Sequence, residues 1–196
     1  MGLLYLVMSS GRHIGPPWLM LALEAPVLIL LLSVQHLEIA VTPHVLRMIV
    51  VLLLSMVTAL IAVALASLLS DIVSARHVLK PRVLLGDAAA LWLANVIVFA
   101  LWYWELDGGG PHSRLKATEL TADLLFPQQT GPGIGPPHWH PRFIDYLFVA
   151  FTNSTAFSPT DTLPLTTRIK ALMMIQALCS LLIIGVLAAR AVNILQ

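Results

Sequence analysis

The chain has 196 residues, 58% of them hydrophobic and 11% charged, with a mean hydropathy of +0.88. Soluble domains carry about 25% charged residues, so this composition excludes an ordinary water-soluble domain and points to an integral membrane protein with one compact membrane domain. A net charge of +1 gives no ground for a nucleic-acid partner, and the single cysteine, Cys179, excludes an intrachain disulfide.

The start of the chain, MGLLYLVMSSGRH, lacks the positive opening of a signal peptide and reads as a tail over residues 1–17. A spanning helix needs about 20 mostly apolar residues, and four segments meet or approach that length. The first, Trp18 to Val34, is slightly short and is interrupted by Glu24 and Pro26. Glu24 is an intramembrane acid, which reads either as a functional group or as an interfacial residue paired with Arg12 or with a neighbouring helix. The second segment, Met48 to Ser70, holds 23 residues and no charge. Together the two form an N-terminal membrane part over residues 18–82.

The third segment, Val83 to Trp104, has Asp87 near its start and Trp102, Tyr103 and Trp104 at its end. Asp87 is expected to pair with Arg76, Lys80 or Arg82, and the aromatic cluster to sit in an interfacial belt. The link over residues 71–83 carries Arg76, Lys80 and Arg82 and is assigned to the cytoplasm with both termini. Arg168 and Lys170, on the predicted outer side, argue mildly against this orientation.

Residues 105–142 form an outer cap rich in glycine and proline, a composition that excludes long helices and sheets. ATELTADLLF, residues 117–126, is the place for a short helix within it. Glu105 and Asp107 beside the glycines read as the end of the third helix and its turn, or as calcium ligands. His138 and His140, with His112, make a weak metal signal lacking cysteine or acidic partners at ligand spacing, so no metal and no cofactor is expected. No nucleophile motif, phosphate loop or paired carboxylate is visible, and an enzyme is not expected.

FIDYLFVAF, residues 143–151, is apolar and about half the length of a span, a length that fits a re-entrant or interfacial helix better than a spanning one. It is followed by the hydroxyl-rich stretch FTNSTAFSPTDTLPLTTR, residues 151–168. Polar main chain at membrane depth is tolerated only when it is buried in protein or faces water. A short helix dipping in and a polar strand climbing out satisfy that rule. The fourth spanning segment, Ala171 to Ala189, follows. On it Gln176 and Ser180, four apart, share a face, Gly185 reads as a gating hinge or a close-packing position, and Arg190 as an interfacial anchor.

The order helix, half-length helix, polar segment with Asp161, Pro164, Thr167 and Arg168, then an Ala/Leu-rich helix resembles the pore module of tetrameric potassium channels over about residues 84–196. In that family an aspartate follows the filter and a proline comes three residues later, as Asp161 and Pro164 do here. The apolar segments read together as an all-α polytopic membrane protein with four transmembrane helices. A re-entrant pore-like helix lies between the third and fourth, and the pore-like module covers residues 83–196. The resemblance also implies a homo-oligomer, with a tetramer favoured, and monovalent cations as the species handled.

The filter-like run is Thr155, Ala156, Phe157, Ser158, Pro159, Thr160 and Asp161, and it departs from the family by having no glycine. A potassium filter needs backbone angles that glycine supplies. Pro159 instead fixes its own φ and pushes Ser158 toward extended conformations. Potassium selectivity is therefore not expected. Asp161 reads as a pore-mouth carboxylate or as a cap for the following helix.

The whole chain resembles a class of bacterial four-helix membrane proteins with no assigned activity, through WYWELDGGGP at residues 102–111 and AFSPTDTLPLT at residues 156–166. The expected setting is the bacterial inner membrane, with the lipid bilayer as partner. A non-conducting structural or partner-binding role is the alternative function.

Overall fold

A computed structural model describes residues 43–74, 81–116, 122–131, 139–155 and 161–194. The expected first span with Glu24, the outer His138, and Ala156, Phe157, Ser158, Pro159 and Thr160 of the filter-like run lie outside the described residues. The described chain is mostly helical: α1 is Pro43–Ser74, α2 Pro81–Leu106, α3 Pro111–Lys116, α4 Phe143–Thr155 and α5 Thr167–Ile194.

Three helices are long and apolar enough to cross a membrane, over His44–Ser70, Leu85–Gly109 and Thr167–Ala188. They correspond to the second, third and fourth apolar segments of the sequence. Helices α1, α2 and α3 each begin on a proline, a residue whose fixed φ suits the first turn and whose missing N–H is not needed there. Less than a third of the apolar windows on α1 and α5 is buried within the chain, whereas just over half of that on α2 is.

The chain divides into two compact units. One contains α1, the first part of α2 up to Ala94 and the last part of α5 from Ile183. Its buried side chains include Leu65, Leu68, Ala88, Leu91 and Ile183, together with Asp87. The basic side chains expected to meet Asp87 lie outside the described side chains.

The second unit runs from Asn95 to Leu182 and holds the second half of α2, the cap, α4 and the head of α5. Within it, Asn95 of α2 meets Ser180 of α5, and the carbonyl of Leu106 meets Arg168. Rising numbers on one helix face falling numbers on the other, so the two are antiparallel here. Helix α4 starts beside the end of α2, where the Tyr146 hydroxyl donates to Asp107 Oδ2 at 2.6 Å. It ends beside Gln176 of α5, whose Nε2 donates to Ser154 Oγ at 2.7 Å. Asp145, in the first turn of α4, accepts the Arg142 N–H at 2.6 Å and caps the helix start.

The cap holds more regular structure than its composition suggests. Besides α3, Leu124–Leu125 (β1) pairs antiparallel with Leu163–Pro164 (β2), in the register Leu124 to Pro164 and Leu125 to Leu163. The helix expected over residues 117–126 is therefore absent from its last three residues: Leu124 and Leu125 are strand and Phe126 is extended. The pairing partner lies about forty residues downstream, so local spacing gave no sign of it.

The turn out of α2 depends on three glycines. Gly108, Gly109 and Gly110 have φ of 55°, 79° and 99°, a region other residues enter only under strain. A Cβ on Gly109 would also lie 3.3 Å from Ser113 Cβ. Gly185 differs: nothing lies within 4 Å of where its Cβ would sit on α5. Gly109→Ala is expected to destabilise the protein by about 1–3 kcal/mol, and Gly185→Ala to be neutral or stabilising by up to about 1 kcal/mol. Apparent Tm values in detergent micelles check the pair, and equal effects would contradict this assignment.

Candidate functional site

Two polar clusters organise the second unit, one at the head of α5 and one eight residues further along it. The head cluster is built on two buried carboxylates, Asp107 and Asp123, each about 1% exposed. Asp107 follows the last residue of α2, and its Oδ1 accepts the backbone N–H groups of Asp123 and Leu124 at 2.7 and 3.0 Å. Its other oxygen takes the Tyr146 hydroxyl. Asp123 returns the contact, with Oδ2 accepting the Gly108 N–H at 3.1 Å. The turn after α2 and the entry to β1 are thus joined by reciprocal carboxylate-to-backbone bonds.

Asp123 also reaches α5. Its Oδ1 accepts from the Thr166 hydroxyl at 2.7 Å and from Arg168 Nε at 2.8 Å, and Arg168 Nη2 pairs with Oδ2. This is a bidentate guanidinium–carboxylate fork, the strong form of such a pair. The Leu165 N–H donates to the Asp123 carbonyl at 2.8 Å, extending the strand pairing. Burial alone would raise the Asp123 carboxyl, but hydrogen bonds from Arg168 and Thr166 outweigh it and hold the group below its ordinary value.

An aromatic shell surrounds this cluster. The Arg114 guanidinium carbon lies 4.8 Å from the Trp104 ring centre and 5.2 Å from that of Tyr146. Its Nη1 donates to the carbonyls of Trp104 and Asp107 at 2.8 and 2.6 Å. Trp104 meets Tyr146 and Phe143 edge-on, and Phe126 meets Tyr146 and Trp139. Of the cluster expected to face the bilayer interface, Tyr103 is fully buried and Trp104 is half-buried against the cap.

The second cluster centres on Gln176, which is fully buried. Its Oε1 accepts from the Tyr103 hydroxyl at 2.6 Å and from Asn153 Nδ2 at 2.8 Å. Its Nε2 donates to the Ala150 carbonyl at 2.8 Å and to Ser154 Oγ. Asn153 Nδ2 also reaches the Met173 carbonyl at 3.0 Å. One turn along, Asn95 Nδ2 donates to Ser180 Oγ at 2.8 Å, while Asn95 Oδ1 is buried with no hydrogen-bond partner. Gln176 and Ser180 do share one face of α5, and that face is turned toward α2.

Of the other sequence candidates, Thr155 ends α4 and its hydroxyl donates to the Thr152 carbonyl at 3.0 Å. Asp161 is exposed. Gly185 is exposed and helical, and Cys179 is a half-buried free thiol. Among the described residues no three His, Cys, Asp or Glu side chains gather as a metal group. The ion pair of Asp123 with Arg168 has no counterpart in the sequence reading. The one sequence signal is that Asp123 directly precedes the apolar Leu124, Leu125 and Phe126, where a charge needs a partner.

Comparison with protein-family models, with curated proteins and with solved structures finds no match.

A carboxyl whose pKa is lower folded than unfolded stabilises above the unfolded value, and loses that stabilisation as pH falls through the folded one. With an ordinary value of 3.8 and a downward shift, the Asp123 contribution is complete above about pH 4 and disappears below it. Asp123→Asn is expected to cost about 1–3 kcal/mol near neutrality. The gap in Tm between the two proteins should narrow as the pH falls below about 4, and a constant gap would assign the stability to another group.

Proposed function

We propose that this protein is a channel-like, non-enzymatic integral membrane protein, with α4 a re-entrant half-helix between two spanning helices. One observation carries this reading: both flanks of the α4 segment are tied to one place, the turn after α2 and the Asp123 carboxylate bonded to it. Tyr146 meets Asp107 at the start of α4, and Thr166 and Arg168 meet Asp123 after it. The last turn of α4 instead meets Gln176, eight residues along α5 from Arg168. At 1.5 Å per residue that is about 12 Å, less than half of a hydrocarbon core of about 30 Å. A segment that goes in by this amount and returns to the same level is a hairpin.

In this reading Trp18 to Val34 supplies a fourth span. The protein is multi-pass in a bacterial inner membrane with both termini cytoplasmic, and copies assemble as a tetramer around the filter-like residues Thr155 to Asp161. The exposed apolar side chains Ile144, Phe148 and Phe151 on α4 and Met174, Leu178 and Leu181 on α5 suit burial against lipid or a second copy. Monovalent cations are the species carried, without potassium preference, because the run lacks glycine and contains Pro159.

A non-conducting, partner-binding membrane protein is the second reading. The observation on its side is the saturation of the Gln176 amide within one chain, which leaves that group nothing to offer a water-filled axis. Purified full-length protein in planar bilayers, with sodium on one side and potassium on the other, separates the two. Cation current reversing within about 10 mV of zero, a permeability ratio near one, is the expected result. Strong potassium preference would overturn the reading of Pro159, and silence at fourfold stoichiometry would favour the second role.

A further inference from the structure

We infer that Gln176 is the positioning residue of this hairpin: its carboxamide sets where the last turn of α4 stops along α5, and so where the chain leaves the helix. The inference rests on the hairpin reading above. Both donors and both acceptor directions of the amide are in use. Its two donors go to Ala150 and Ser154, four residues apart on α4, so one side chain grips a whole turn. Its oxygen receives Asn153 from that same turn and Tyr103 from α2. Asn153 takes a second hold on α5 one turn earlier, at the Met173 carbonyl.

Sliding α4 by a turn, about 5.4 Å, would strip these partners at once. Buried polar groups without partners are costly in an apolar setting, so the grip selects one depth. The residue that follows this turn is Thr155, first of the filter-like run. Replacements fail in distinct ways. Methionine has similar length and no hydrogen bonds to offer. Glutamate keeps acceptors for Tyr103 and Asn153 but loses the paired donors. Asparagine is one methylene short.

The test uses the full-length protein in lipid nanodiscs, with Cys179→Ala and a reporter Thr155→Cys, and follows the rate of modification by a charged maleimide. The parent reporter is expected to react slowly. Gln176→Met should speed it about tenfold or more, by releasing the turn, and Gln176→Glu should fall between. Ile169→Ala, which opens a cavity at a fully buried site on the same helix, should leave the rate unchanged. A protected parent with an unchanged Gln176→Met rate overturns the inference while sparing the hairpin. An equal acceleration by Ile169→Ala also overturns it, since loose packing would then suffice. A parent reporter as reactive as a cysteine at exposed Lys170 overturns the hairpin and the inference together.

Discussion

Asp123 must have partners from two distant parts of the chain, and the rest of the second unit follows from that need. A buried carboxylate left alone would cost several kcal/mol. Its acceptor positions are filled by Gly108 at the end of α2 and by Thr166 and Arg168 at the start of α5. Asp107, beside Gly108, holds the backbone of Asp123 and Leu124 and the hydroxyl of Tyr146. The cap, the entry to α4 and the entry to α5 are therefore pinned to one point. Because Arg168 is half exposed, the ion pair is worth less than a fully buried one. Its geometric role, closing two long loops at once, matters more than its strength.

With the head fixed, the last turn of α4 poses a polar problem of its own. Helix α4 is too short to cross and carries Asn153 and Ser154 in its last turn. Hydrogen bonds between membrane helices are individually modest, on the order of 0.6 kcal/mol. The four around Gln176 therefore act by specifying one arrangement rather than by adding much stability. Asn95 and Ser180 repeat the pattern one turn further on, and together they set the register of α2 against α5.

The long elements were legible in the sequence because hydropathy over twenty residues is a strong local signal. Three apolar segments reappear with ends moved by a few residues, and the half-length run becomes α4 with four more residues at its end. The shared face of Gln176 and Ser180 was legible from their spacing. What stood on that face was not, since Tyr103 and Asn95 lie more than seventy residues away. Asp123 lies inside a stretch whose sequence reads as helix, and Arg168 reads as a charge against the assigned topology. Their pairing joins positions forty-five residues apart, and no periodicity encodes it. Trp104 reads from its place at a helix end as part of an interfacial aromatic belt, and here the Arg114 guanidinium packs on its ring within the cap.

The central claim is that the chain leaves α2 and enters α5 on one side of the membrane, with α4 going in and coming back between. Single cysteines at three exposed positions, Gln128 in the cap, Asp161 after α4 and Lys170 on α5, report this directly in sealed, oriented vesicles. An impermeant thiol reagent added to one face is expected to label all three or none. Labelling of Gln128 from one face and of Asp161 and Lys170 from the other would make α4 a crossing helix and contradict the hairpin.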